Sequence, residues 1–231
     1  MLCKGIQFLL IFFTDPIFIY QWQEKAQMLF YAENVVGKHH TSKKFVMGEL
    51  RLIAKPGKQE YPSYSEIYIE LFKDDGLILH HLEENFKKIK EFIYSLPEDK
   101  LYYRYAENKW SIKEILVHII DDERIFAYRA LRFARFDKTE LPGFDQDGFT
   151  FYSDANKRSL ESIFEEYEAV RNATIAMFNG FPEDSFMRSG VGSGKKRTVR
   201  ALCYHIAGHE LRHIKIIKER YLNMTTENGI L

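Results

Sequence analysis

His209-Glu210-Leu211-Arg212-His213 is the stretch of this chain with the clearest chemical content. Histidines at i and i+4 lie on one face of a helix, one turn apart, so both imidazoles can reach a single divalent metal. The string also matches the H-E-x-x-H pattern of zinc proteases, in which the glutamate is the general base. Those enzymes take a third ligand from further downstream and bind peptide along a sheet edge. Here Glu219 is too close, Glu227 falls in a short polar tail, and residues 60–222 show no pair of β-rich, turn-linked runs. The protease match therefore reads as a coincidence of letters.

A third nitrogen is available upstream. His118 lies one turn into an apolar helical face, with Ile115, Ile119 and Asp122 about it. In helical bundles, metal sites are built from inward side chains on facing helices. His118, His209 and His213 would put three nitrogens on one side of an ion and leave positions open, as catalytic sites do. The competing reading makes each a core histidine with a partner for each ring nitrogen. His205, four residues before His209, drifts to the edge of the stripe and is a reserve ligand.

Other candidates each have a plain alternative. Asp121, Asp122 and Glu123 follow His118, and one of them could accept an imidazole N–H; a solvated helix face is the commoner outcome. Glu210 points about 100° from His209, which argues against a base role. Asp145 and Asp147 are placed to line the site mouth or to stabilise their own loop. Arg129, Arg132 and Arg135 form a basic strip suited to an anionic substrate or to surface pairing. Cys203 reads as a small buried hydrophobe. Gly208, inside a helix, costs about 1 kcal/mol relative to alanine, which close packing of a neighbour would justify.

The elements that must position these residues are helices. Asp74 and Asp75 precede apolar positions Leu79, Leu82, Phe86, Ile89, Phe92, Ile93 and Leu96, at spacings of three and four, before Pro97. Ser111 and Glu114 form a capping box, with Trp110 and Ile115 placed as a hydrophobic staple. The helix they open continues towards Arg135. A third helix spans about 159–179 and stops at Gly180 and Pro182. The fourth runs over 198–222, with Leu202, Ile206, His209, His213, Ile216 and Ile217 on one stripe. Gly190, Gly192 and Gly194 lie in the last loop and read as a flexible connector, because no strand or Walker-type spacing supports phosphate binding. The expected fold is an all-α four-helix bundle over 59–222 with long inter-helix loops, followed by a polar tail over 223–231.

Composition sets outer limits. Of 231 residues, 45% are hydrophobic, ample for a core, and 33 Lys plus Arg balance 33 Asp plus Glu. That balance gives no global field towards nucleic acid or an anionic membrane. Two cysteines are too few for a disulfide framework, which fits a cytoplasmic setting. Residues 5–22 are strongly apolar, but Asp15-Pro16 interrupts them as a membrane span and no small-x-small site follows them as a signal. Residues 1–58 are expected to be an apolar and then irregular N-terminal extension, read as a misplaced start, with Met47 the candidate native one, in preference to a true anchor or signal.

Across residues 59–222 the sequence resembles the DinB/YfiT-like superfamily of bacterial metal-binding four-helix bundles. The resemblance rests on Tyr105-Ala106, Lys109-Trp110-Ser111, His118-Ile119-Ile120-Asp121, Glu123-Arg124 and Phe126-Ala127-Tyr128-Arg129. It continues through Leu141-Pro142-Gly143-Phe144-Asp145-Gln146-Asp147 and Ala207-Gly208-His209-Glu210 with His213. It implies that His118, His209 and His213 bind a divalent ion, commonly zinc or nickel. Arg212 stands where similar sequences often carry histidine, which leaves the triad untouched. Hydrolase or thiol-S-transferase chemistry on a small molecule is implied, the latter with a low-molecular-weight thiol such as bacillithiol or mycothiol as co-substrate. With no evident general base, the residues tilt towards transfer. A homodimer is implied as well, and the other functional class is a non-catalytic metal-binding stress-response bundle.

Overall fold

The computed structural model describes residues 49–224. The questions raised by residues 5–22 and Met47, and most of the polar tail, lie outside the described residues. The compact unit begins at Glu49, earlier than the boundary expected at 59. Leu50 and Ile53 are buried, Ile53 N–H donates to the Gly76 carbonyl, and Tyr204 donates to the Ile53 carbonyl.

Short helix α1 (Glu66–Ile69) precedes α2 (Ile78–Tyr94), α3 (Glu98–Tyr102) and α4 (Ile112–Ala134). Then come α5 (Gln146–Tyr152), α6 (Leu160–Asn179), a hairpin of β1 (Ser189–Gly192) and β2 (Lys195–Thr198), and α7 (Val199–Ile216). A π turn, Ile217–Tyr221, prolongs α7. The four long helices form the expected bundle, packing in the ring α2–α6–α4–α7. Consecutive helices α2 and α4 are not neighbours in that ring, and neither are α6 and α7. The connections therefore have to cross the bundle ends, which explains their length.

Local chemistry starts each helix. Ser111 Oγ accepts from Glu114 N–H and the Glu114 carboxylate accepts from Ser111 N–H, so the capping box opens α4 as read. Trp110 packs on the core cluster that holds Ile115. Ser159 caps α6 and Thr198 caps α7. One cap differs from expectation: Asp75 accepts from Leu77 N–H in the turn before α2, and Asp74 accepts from Lys55 N–H.

The glycine loop is also different: it is a β-hairpin. Ser189 pairs with Thr198 and Gly192 with Lys195, around a turn in which Ser193 and Gly194 both have positive φ, 54° and 66°. Two left-handed residues make the type I′ turn that matches strand twist. A Cβ on Gly190 would fall 2.2 Å from the Phe133 ring, so this glycine serves close packing on α4 and not flexibility.

The core also holds a charged network. Arg171 on α6, essentially unexposed, donates to Glu123 on α4, to Glu210 on α7 and to the Leu82 carbonyl on α2. Tyr167 and Asn85 donate to the same Glu210 carboxylate. All four helices are thereby tied to one guanidinium.

Gly208 lets α1 cross α7 beside the histidines. A Cβ there would lie 2.3 Å from the Tyr68 carbonyl oxygen. Gly208→Ala should therefore lower stability by about 1–3 kcal/mol despite alanine's better helix propensity. Urea denaturation checks this, and an unchanged or raised midpoint would contradict the packing.

Candidate metal centre

Helices α4 and α7 bring the three predicted histidines together. His118 Nε2 is 3.2 Å from His209 Nε2, and His213 Nε2 is 3.1 Å from the same atom. One ligand atom from each lies within 4.8 Å of the others. Nitrogens about 2.0–2.1 Å from a tetrahedral zinc would stand roughly 3.3 Å apart, so the donor set fits such an ion. His205 is excluded from it. Its ring stacks on Phe126 at 3.9 Å and lies 5.6 Å from the His209 ring, behind the converging nitrogens.

The surroundings keep these imidazoles neutral, as a ligand must be. Burial holds His118 below the usual histidine range, partly offset by Asp122 and Asp147. Burial also holds His209 well below it, against the pull of Asp122. His213 is pushed down to about 3, first by burial and then by His118 and Arg212. Trp110 packs on His118 at 4.6 Å and faces His213 at 6.4 Å, while Tyr68 sets its ring edge against His209 at 5.7 Å.

Asp122 is buried, which corrects the expectation of a solvated acidic face. Its Oδ2 lies 3.3 Å from His209 Nδ1 and 3.5 Å from His205 Nε2. A carboxylate there favours the tautomer with hydrogen on Nδ1 and the lone pair on Nε2. Burial pushes the Asp122 carboxyl up, with His209, His118 and Arg129 opposing. Glu123 departs from the solvated-face reading too, since it pairs with Arg171, whereas Asp121 lies nearer the surface by Arg124. Asp122→Asn should weaken metal binding by about 10–100-fold with the helices intact. Competition with a chromophoric chelator measures it, and an affinity equal to the parent's would remove Asp122 from the site.

The remaining candidates separate cleanly. Glu210 turns into the Arg171 network and away from the histidines. Cys203 is fully buried, and burial raises its thiol well above the ordinary range. Asp145 caps α5 by accepting from Gly148 N–H. Asp147, two residues on, lines a cavity of about 210 Å³ with His213, Trp110, Tyr105 and Tyr221. Its carboxylate makes no hydrogen bond or ion pair among the described residues, yet it acts electrostatically on His118. Of the basic strip, Arg132 pairs with Asp137 and Tyr128, Arg135 lies over Phe181, and Arg129 is buried. A larger groove of about 520 Å³ between α2 and α6 contains none of the histidines; in it Lys87 pairs with Glu83 and Lys90 with Glu168. Tyr68 and Arg171 were not singled out from the sequence.

With this geometry in view, the profile of the DinB superfamily matches residues 81–217. The chain belongs to the DinB superfamily. A protein of Oceanobacillus iheyensis, named as a proposed metal-dependent hydrolase, is 26% identical over 61% of this chain and 81% of its own. YfiT from Bacillus subtilis, described as a proposed metal-dependent hydrolase with an unusual four-helix bundle topology, superimposes with a TM-score of 0.57. That match has 15% identity and covers 66% of this chain and 89% of YfiT, a likeness of fold. Among the described residues, no helix of this DinB-family chain is long and apolar enough to cross a membrane.

Proposed function

We propose that this protein is a divalent-metal-dependent hydrolase acting on a small molecule, with His118, His209 and His213 as the protein ligands. The observation that carries the reading is three neutral imidazole nitrogens converging beside a cavity that also holds an unpaired carboxylate. A divalent ion bound there supplies Lewis acidity to an oxygen brought against it. The donor set suits zinc and nickel alike.

The chain's own residues do the rest. Asp122 and the packed rings of Trp110 and Tyr68 fix the imidazole planes. Trp110, Tyr105 and Tyr221 wall the cavity and limit water around a bound substrate. Asp147 is free to accept a proton at its carboxylate from the attacking nucleophile in that space. It is the base that the sequence left unnamed, and its presence moves the balance from thiol transfer to hydrolysis. The names given to the relatives point the same way.

The test is turnover by metal-loaded protein across ester, amide and thiol-conjugation substrates, beside Asp147→Asn. Hydrolysis that falls by about 10²–10⁴-fold in the variant, with metal affinity unchanged, is the expected result. Conjugation of a low-molecular-weight thiol, indifferent to Asp147, would make it a transferase instead. Metal binding without turnover of either kind would leave a sequestering bundle.

A further inference from the structure

Arg129 and Arg197 are buried guanidiniums that no carboxylate meets. They are 3% and 2% exposed. Arg197 donates to the Tyr64 hydroxyl and, at a long 3.5 Å, to the Gly192 carbonyl, while its Nε has no partner. Arg129 donates to the Pro142 carbonyl at 2.9 Å and to Ser193 Oγ at 2.8 Å. Every one of these acceptors is neutral. Burial alone pushes Arg197 down to about 10, and Arg129 is lowered by burial with only Asp122 opposing. Asp122 Oδ2 lies beside His209 and His205, at 3.3 and 3.5 Å, and forms no hydrogen bond or ion pair with either arginine.

The two side chains converge. Both lie over the Phe126 ring, Arg129 at 4.9 Å and Arg197 at 5.5 Å from its centroid. Both also reach Gly192: a Cβ there would fall 3.0 Å from Arg129 Nε, and Arg197 contacts the Gly192 carbonyl. The glycine thus brings two cations together under the tip of the hairpin. Their cover is thin, because Tyr64 is about half exposed and Pro142 and Ser193 are exposed. A buried charge without a counter-charge is costly, and such a pair is normally met by an anion.

We propose that Arg129 and Arg197 form a binding site for a small oxyanion, a phosphate or carboxylate group, entering at the hairpin tip between Tyr64 and Ser193. Planar guanidiniums offer forked donors matched to such groups, and the two hydroxyls are the neutral stand-ins the anion shares or displaces. The site is distinct from the histidine centre, since Phe126 and His205 lie between the two. It does not depend on the proposed hydrolase activity.

The test is calorimetric titration of chelator-treated, full-length protein with inorganic phosphate and, separately, with succinate, at ionic strength fixed by chloride. Saturable binding of about one anion per chain is expected, weakened about tenfold or more in Arg197→Gln and Arg129→Gln. His118→Ala should bind the anion as the parent does, so loss of the metal centre and loss of this site are told apart. The preferred titrant decides between phosphate and carboxylate. Should Arg197→Gln fail to fold by far-ultraviolet dichroism, Arg129→Gln carries the comparison. No saturable binding of either anion by the parent, or equal binding by a folded arginine variant, overturns the site.

Discussion

Replacing Arg171 with leucine is expected to cost about 3–5 kcal/mol of folding stability, the range for stripping one partner from a buried ion pair. The guanidinium faces Glu123 and Glu210, both essentially unexposed, and its removal leaves two carboxylates buried together. Urea or thermal denaturation should show the loss while the folded fraction still binds metal. Glu210→Gln belongs to the same experiment. The zinc-protease reading makes Glu210 a base, so its amide variant would lose turnover at unchanged stability. Here Glu210 accepts from Arg171, Tyr167 and Asn85, so the variant should unfold earlier and keep its metal. A stable but inactive Glu210→Gln would return the protease reading.

The second large effect is on the metal. His118→Ala should lower affinity by more than the roughly 10–100-fold that loss of an outer partner costs, because it removes one of three direct donors. Protein purified identically should fall from about one metal per chain to almost none. Helical content should hold, since α4 is fixed by its capping box and by the apolar contacts of Ile115, Leu116, Ile119 and Ile120. His205→Ala is the internal control. That ring stacks on Phe126 outside the donor cluster, so its loss should leave stoichiometry unchanged.

The bundle and the His209–His213 pair were legible because both follow from short-range rules. Helical stripes, the Ser111–Glu114 box, and histidines at i and i+4 need no knowledge of distant contacts. The role of Asp122 was within reach for the same reason. It sits four residues after His118, on the same face, and only the usual solvation of acidic runs argued against it. Arg171 also carried a readable signal, falling between Tyr167 and Ile175 at four-residue steps on an apolar stripe. What no local pattern supplies is its pairing with Glu123 and Glu210, which come from two other helices. The hairpin escaped notice for a different reason. Its strands, Ser-Gly-Val-Gly and Lys-Lys-Arg-Thr, carry little β signature, and they are held by backbone bonds to Leu141 and by Phe133 on the neighbouring helix. The fold and the His209–His213 pair were thus written locally, whereas the approach of His118 and the polar supports around the cluster depended on tertiary partners.

The measurement that bears most directly on the metal centre is metal content of untagged protein, followed by X-ray absorption at the edge of the bound metal. One ion per chain with three imidazole nitrogens at about 2.0–2.1 Å is the predicted result. A sulfur ligand, a shell of carboxylate oxygens alone, or no ion retained after reloading would contradict it.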